Sequence, residues 1–253
     1  MPDKDAGTPR VYLVRHGTLQ YLSSQCALLG INFNAAYIPT WSDIATGETE
    51  WTTTGRYTGR SDIPLTKNGE LQVSSSASKV VGVGKLIDPS RISRLFISPR
   101  IRASRTYELL FDNAARANLE GLCEITEDIR EWDYGLYDGQ LTSEVRAGRK
   151  ERGLDTERPW NIWIDGCEGG ESAKEVSNRL DRIIAKIREI QGPDMWGGKG
   201  VDVVLIAHGH ILRAFAKRWI NFDLGMRLPL MLGPGAVGVL SYEHHNEIGR
   251  AHV

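Results

Sequence analysis

Short apolar runs and one long amphipathic stripe divide this chain into alternating strands and helices. Val11-Tyr12-Leu13-Val14 is an unbroken run of mostly β-favouring residues, the pattern of a strand buried on both faces. Arg94-Leu95-Phe96-Ile97 repeats it ahead of Ser98-Pro99, Glu124-Ile125-Thr126 gives a short third strand, and 201–207 is apolar on both faces except for Asp202. Residues 235–242 make a last strand. Between them, Thr66 is placed to cap a helix running to about Val81, and helices are predicted over 101–111, 141–152 and 211–219. The clearest helix is 172–191, where Val176, Leu180, Ile183, Ile184, Ile187 and Ile190 fall on one stripe. Residues 1–10 read as a loose arm, 158–163 as an aromatic-rich connection and 192–200 as a flexible turn. Strands alternating with helices, with polar residues at strand ends, predict a three-layer α/β/α sandwich around a mostly parallel sheet.

Composition narrows the function. A chain of 253 residues, 41% hydrophobic, suits one large domain with a sizeable core. A net charge of −1, without a Lys/Arg run, points away from nucleic acid and from anionic membrane surfaces. No stretch of eighteen apolar residues or signal-peptide pattern is present, so a cytoplasmic protein is expected. Cys26, Cys123 and Cys167 stand far apart and read as reduced thiols, none placed like a nucleophile.

The candidate chemistry lies at strand ends. Val11–Gly17 and Val201–Gly209 are each an apolar strand closing on a histidine followed by glycine. If the two strands are neighbours in a parallel sheet, His16 and His208 meet at one edge, where open α/β sheets place their ligands. Arg15 offers a rigid fork of donors for phosphate, and Gly17 lets the backbone approach an anion closely. Arg100 and Arg102 follow another strand, and one of them should point inward. Glu131 follows a short strand among aromatics, where burial would favour the protonated form that a proton donor needs.

These segments resemble the histidine phosphatase (phosphoglycerate mutase-like) superfamily. The resemblance is carried by Leu13-Val14-Arg15-His16-Gly17, Gly55-Arg56-Tyr57-Thr58-Gly59, Ser98-Pro99-Arg100-Ile101-Arg102-Ala103, Arg130-Glu131-Trp132-Asp133-Tyr134-Gly135, Ala207-His208-Gly209-His210 and Gly238-Val239-Leu240-Ser241-Tyr242. Arg152-Gly153-Leu154-Asp155 and Glu157-Arg158-Pro159-Trp160-Asn161-Ile162-Trp163 resemble its fungal sugar bisphosphatases. The resemblance implies a single phosphoglycerate mutase-like domain that hydrolyses a sugar bisphosphate, sedoheptulose 1,7-bisphosphate first, through a phosphohistidine. It implies that His16 attacks phosphorus, that Arg15, Arg102 and His208 hold the transferring group, and that Glu131 protonates the leaving oxygen and then activates water. Gly17, Thr49 and Gly209 would complete the phosphate site. A second phosphate needs another cationic locus, for which Arg213, Arg60 and Arg100 are candidates, with Tyr57 and Tyr134 as hydroxyl donors. Two arginines and a protonated His208 would clamp the phosphoryl oxygens without a metal, so no cofactor is implied. The partner is then a small sugar phosphate, with homo-oligomerisation left open.

The chain departs from the family in two places. The family motif continues from Arg-His-Gly directly into Glu-Thr-Glu-Trp, which stands here as Glu48-Thr49-Glu50-Trp51. The intervening residues 18–47 hold one charge, Asp43, and sustain neither a helical nor a strand period. They read as a retained intron translated in frame; a natural lid is the rival reading. Residues 247–253 match the translation of a sequencing adapter and are set aside as a tail, which removes His252 from any metal site with His244 and His245. Two alternatives to the phosphatase follow: a phosphoglycerate mutase-like phosphotransferase, and a phosphate-binding module whose chemistry the insertion impairs.

Overall fold

A computed structural model describes residues 8–16, 48–195, 201–228, 230, 232, 237–243 and 246–252. The proposed insertion at 18–47, together with Gly17, Cys26, His244 and His245, lies outside the described residues, as do 196–200 and the start of the last predicted strand. Six strands, β1 (Val11–Arg15), β2 (Ile92–Ile97), β3 (Cys123–Ile125), β4 (Asp202–Ala207), β5 (Val237–Glu243) and β6 (Asn246–His252), form one sheet in the order β3-β2-β4-β1-β5-β6. The first four in that order run parallel, and β5 and β6 are antiparallel to their neighbours. The set-aside tail thus contributes backbone to the edge strand β6.

The strand period of two sends alternate side chains into two separate cores. Val11, Leu13, Val203 and Leu205 face one layer, packed with Val176, Leu180, Ile183, Ile187, Phe215 and Trp219. Tyr12, Val14, Val204 and Ile206 face the other, packed with Val73, Ala103, Leu110 and Phe111. This is the three-layer sandwich that the alternation of elements predicts.

The helices in chain order are α1 (Glu50–Thr54), α2 (Lys67–Val80), α3 (Ile101–Leu110), α4 (Asn113–Leu119), α5 (Thr142–Glu151), α6 (Ile162–Asp165), α7 (Ala173–Gln191) and α8 (Gly209–Trp219). Helix α7 starts on a capping box. Ser172 Oγ accepts from the Glu175 N–H at 3.2 Å, and Glu175 returns a carboxylate oxygen to the Ser172 N–H at 2.9 Å. Its predicted apolar stripe is the buried face. No helix among the described residues is long and apolar enough to cross a membrane.

Three local expectations need revision. Thr8 and Pro9 are buried, and the Arg10 carbonyl accepts from Val203 N–H and Gln191 Nε2, both at 2.9 Å, so this part of the arm is packed. The aromatic connection contains α6, capped by Asn161 Oδ1 on the Trp163 N–H at 3.1 Å. Helix α4 was not expected; Leu119 is its one buried residue, so no apolar stripe marked it.

A buried ion pair holds the segment that carries Glu131. Arg179 meets Glu171 through Nε to Oε1 at 2.8 Å and Nη2 to Oε2 at 3.0 Å, and its Nη1 donates to the carbonyls of Asp128 and Arg130. Arg130 adds a 2.7 Å bond to the same carboxylate, which also accepts from the Asp133 N–H. Burial pulls the Glu171 carboxyl upward, but the Arg179 bonds and charge outweigh it, and the group sits below its ordinary range. Removing one partner leaves buried charge uncompensated. Glu171→Gln should therefore lower unfolding stability by about 3–5 kcal/mol in urea denaturation. A loss under about 1 kcal/mol, the range of an exposed pair, would contradict the clamp.

Candidate active site

Register brings the two histidines together. Strands β1 and β4 pair with Arg15 opposite Ala207, so the next residue of each strand, His16 and His208, emerges at the same edge. His16 Nε2 lies 2.6 Å from His208 Nδ1, and the rings meet edge to face with centroids 4.7 Å apart. Strand β2 ends beside them at Ser98, whose hydroxyl lies 2.6 Å from His208 Nε2. Of the two arginines that follow, Arg102 points inward and is fully buried. Its Nε–H lies 3.0 Å from His16 Nε2 and 3.2 Å from His208 Nδ1, while Nη1 and Nη2 donate to the carbonyls of Ser61 and Thr58. Arg100 instead donates to the Gly59 carbonyl at 3.1 Å.

This cluster sets the protonation state. His16 is pushed well below its ordinary pKa of 6.5 by burial, then by Arg102 and Arg15. His208 is pushed down likewise by burial, Arg102 and His16. The protonated His208 expected from the sequence is therefore neutral here, because a buried imidazole beside a guanidinium sheds its proton. One ring proton must lie between the two histidines. With Ser98 O–H on His208 Nε2 and His208 Nδ1–H on His16 Nε2, the His16 lone pair becomes the common acceptor for His208 and Arg102. That tautomer is assigned from the network.

Glu131 serves helix α8. The helix has no side-chain cap from the residue before it, His208. Glu131 supplies one from another segment: Oε1 accepts from the Ile211 and Trp132 N–H groups at 2.9 Å, and Oε2 from the His210 N–H at 3.1 Å. Aromatic neighbours are thus only part of its surroundings, and three backbone donors hold the carboxylate at the mouth of the helix.

Arg15 stacks on Gly209. A Cβ at that glycine would fall 2.8 Å from the guanidinium carbon, so the close approach requires glycine. Arg15 Nη1 donates to the Leu232 carbonyl at 2.6 Å, and its buried Nε has no partner among the described residues. Burial and Arg213 push Arg15 down to about 10, which leaves it charged at neutral pH.

A cavity of about 350 Å³ opens in front of this group, lined by Arg15, His16, Glu131, Tyr134, Gly209 and Arg213 among others. Tyr57 also lines it, with its ring 4.7 Å from that of Tyr134. The structure therefore brings His16, Glu131, His208, Arg15, Arg102 and Gly209 together, with Tyr57, Tyr134 and Arg213 around the opening. It does not bring in three others. Arg60 is 74% exposed and pairs with Asp133 at 3.0 Å, Arg100 faces Gly59, and Thr49 is a buried cap on α1, bonded to Thr52. Thr52 lines the cavity instead. Ser98 and His210 were absent from the expected site although their motifs were in view. His210 Nδ1 lies 2.8 Å from the Tyr134 hydroxyl and forms part of the cavity wall.

A sandwich around a mostly parallel sheet, with paired histidines at adjacent strand tips clamped by a buried arginine, defines a phosphoglycerate mutase-like protein. The sequence pattern of the histidine phosphatase superfamily (branch 1) matches residues 46–251, and the chain belongs to that superfamily. It is 38% identical over 237 residues to sedoheptulose 1,7-bisphosphatase of Saccharomyces cerevisiae, covering 79% of this chain and 86% of that protein. It is 32% identical over 200 residues to an acid phosphatase of Mycobacterium tuberculosis, covering 78% and 84%. The solved structure of an open-reading-frame product from Mycobacterium tuberculosis superposes with a TM-score of 0.66 at 26% identity, covering 97% and 96%.

Holding three histidines neutral has a pH signature. His16, His208 and His210 all sit well below 6.5 in the folded protein, burial being the first cause in each. Protonation then favours the unfolded chain. The stability they contribute is complete above about pH 6.5 and is lost as pH falls toward the folded-state values, at up to about 1.4 kcal/mol per pH unit for each histidine. Urea unfolding should show lower stability at about pH 5.5 than at about pH 7; equal or greater stability in acid would contradict the neutral cluster.

Proposed function

We propose that the chain hydrolyses a sugar bisphosphate, sedoheptulose 1,7-bisphosphate foremost, through a phosphohistidine on His16. The observation that carries the reading is the 2.6 Å approach of His16 Nε2 to His208 Nδ1, with Arg102 Nε 3.0 Å from the first and 3.2 Å from the second. A neutral imidazole is thereby aimed, by its lone pair, at a position ringed by cationic donors. Phosphoryl transfer has a loose transition state whose equatorial oxygens carry the charge, so positioning and cationic clamping supply most of the catalysis.

In the first step the His16 Nε2–P bond forms and the bond from phosphorus to the sugar oxygen breaks. Glu131 enters this step carrying a proton and gives it to that oxygen. In the second, water attacks phosphorus, Glu131 takes the proton back, and the P–N bond breaks to release phosphate. Arg15, Arg102 and His208 hold the oxygens throughout, and an entering phosphoryl oxygen replaces the direct contact between the histidines. The identity to the yeast enzyme supports the choice of substrate.

Phosphate release from sedoheptulose 1,7-bisphosphate, abolished by His16→Ala, is the expected result in a screen of phosphate esters. Phosphoryl exchange on a phosphoglycerate without phosphate release would favour the phosphotransferase. Ligand binding without turnover would favour the impaired binding module.

The superfamily match begins at residue 46, beside the downstream junction of the proposed insertion, and Glu48-Thr49-Glu50-Trp51 then resumes the motif broken after Gly17. This supports reading 18–47 as an insertion one residue beyond the nucleophile. Since a displacement near 1 Å can reduce a rate about 10²-fold, deleting 18–47 should raise phosphate release by about that factor. Equal rates with and without the segment would contradict the insertion reading.

A further inference from the structure

A second cavity, of about 410 Å³, adjoins the first, and the two share Tyr57, Thr142 and His210 as common wall. Beyond this saddle the second cavity is lined by Trp160 and Trp163 and by one cation, Arg146 on α5. The surrounding arginines are occupied. Arg56 bonds the Gly139 carbonyl and Glu144, Arg149 pairs with Asp155, Arg152 with Glu168 and Arg158 with Asp165. Among the described residues no carboxylate pairs with Arg146. Arg213 faces the first cavity beside Arg15, bonded to the Gly209 carbonyl, and Arg60 and Arg100 are engaged elsewhere.

We propose that Arg146 is the distal-phosphate residue of this enzyme: the bisphosphate lies across the Tyr57–His210 saddle, with its reacting phosphoryl group at His16 and its second phosphate on Arg146. The assignment rests on the sugar-bisphosphate reading and adds a residue to it. A guanidinium with no carboxylate keeps its fork of donors for a phosphate, which takes two parallel hydrogen bonds from it. The hydroxyls of Thr142 and Tyr57, 3.0 Å apart, stand on the route between the two phosphates. The indoles of Trp160 and Trp163 present apolar surface to the carbon chain of the sugar. Arg146 also acts electrostatically on the Tyr57 phenol, which burial nonetheless pushes upward, so its charge reaches the saddle. A monophosphate satisfies the first cavity and leaves Arg146 bare. Selectivity for bisphosphates would then reside in α5, away from the reacting atoms.

The test is calorimetric titration of the full-length chain carrying His16→Ala, which binds without turnover, with sedoheptulose 1,7-bisphosphate and separately with inorganic phosphate. Adding Arg146→Gln should weaken bisphosphate binding about 10-fold or more, and phosphate binding far less. Arg146→Lys should recover part of the loss. An equal effect of Arg146→Gln on both ligands, or on neither, overturns the subsite. If the His16→Ala protein, before Arg146 is altered, binds the bisphosphate no tighter than phosphate, or binds neither, the sugar-bisphosphate reading itself fails and the subsite with it.

Discussion

Two buried imidazole nitrogens 2.6 Å apart govern the rest of this molecule. The approach follows from backbone register: β1 and β4 run parallel with Arg15 opposite Ala207, and each strand stops one residue short of its histidine. A one-residue slip would turn one ring to the other face of the sheet. The same period sends alternate side chains of β1 and β4 into the two cores, so such a slip would also exchange side chains between them. Stability and site geometry therefore share one cause.

Burial decides the chemistry of the pair as much as proximity does. The Arg102 guanidinium, the Ser98 hydroxyl and the rings themselves surround the pair, and burial with the neighbouring guanidinium disfavours a positive charge on either ring. The consequence is an imidazole kept unprotonated well below the pH at which an exposed histidine would gain its proton. Arg102 joins three segments, since its remaining donors hold the carbonyls of Thr58 and Ser61. Glu131 plays the matching part on the other side by capping α8, the helix that carries Gly209, His210 and Arg213. The polar residues of the site are thus also its scaffold.

Much of this was legible in the chain. The apolar runs at 11–14 and 201–207, the stripe along α7 and the cap Thr66 encode local structure through period and propensity, and each lies where the pattern puts it. Pairing of the His-Gly strand ends followed from the rule that parallel strands align their carboxyl ends. What stayed hidden depends on contacts between distant segments. Glu131 caps a helix almost eighty positions away, at a sequence separation of 79 to His210. Thr49 looked like a phosphate ligand by motif, yet its hydroxyl is spent on Thr52. Arg60, Arg100 and Arg146 are alike as letters, and only the positions of Asp133, Gly59 and the second cavity separate them. Helix α4 shows the converse limit, because a helix that buries one side chain leaves no period to read.

The central claim is that the neutral His16 imidazole bonds directly to phosphorus. Rapid quenching in alkali during turnover of phosphorus-labelled sedoheptulose 1,7-bisphosphate, followed by peptide mapping, tests it most directly. An acid-labile, alkali-stable phosphate on the peptide containing His16, lost in His16→Ala, is the predicted result. Turnover that proceeds with no label on that peptide, or with label on another residue, would contradict it.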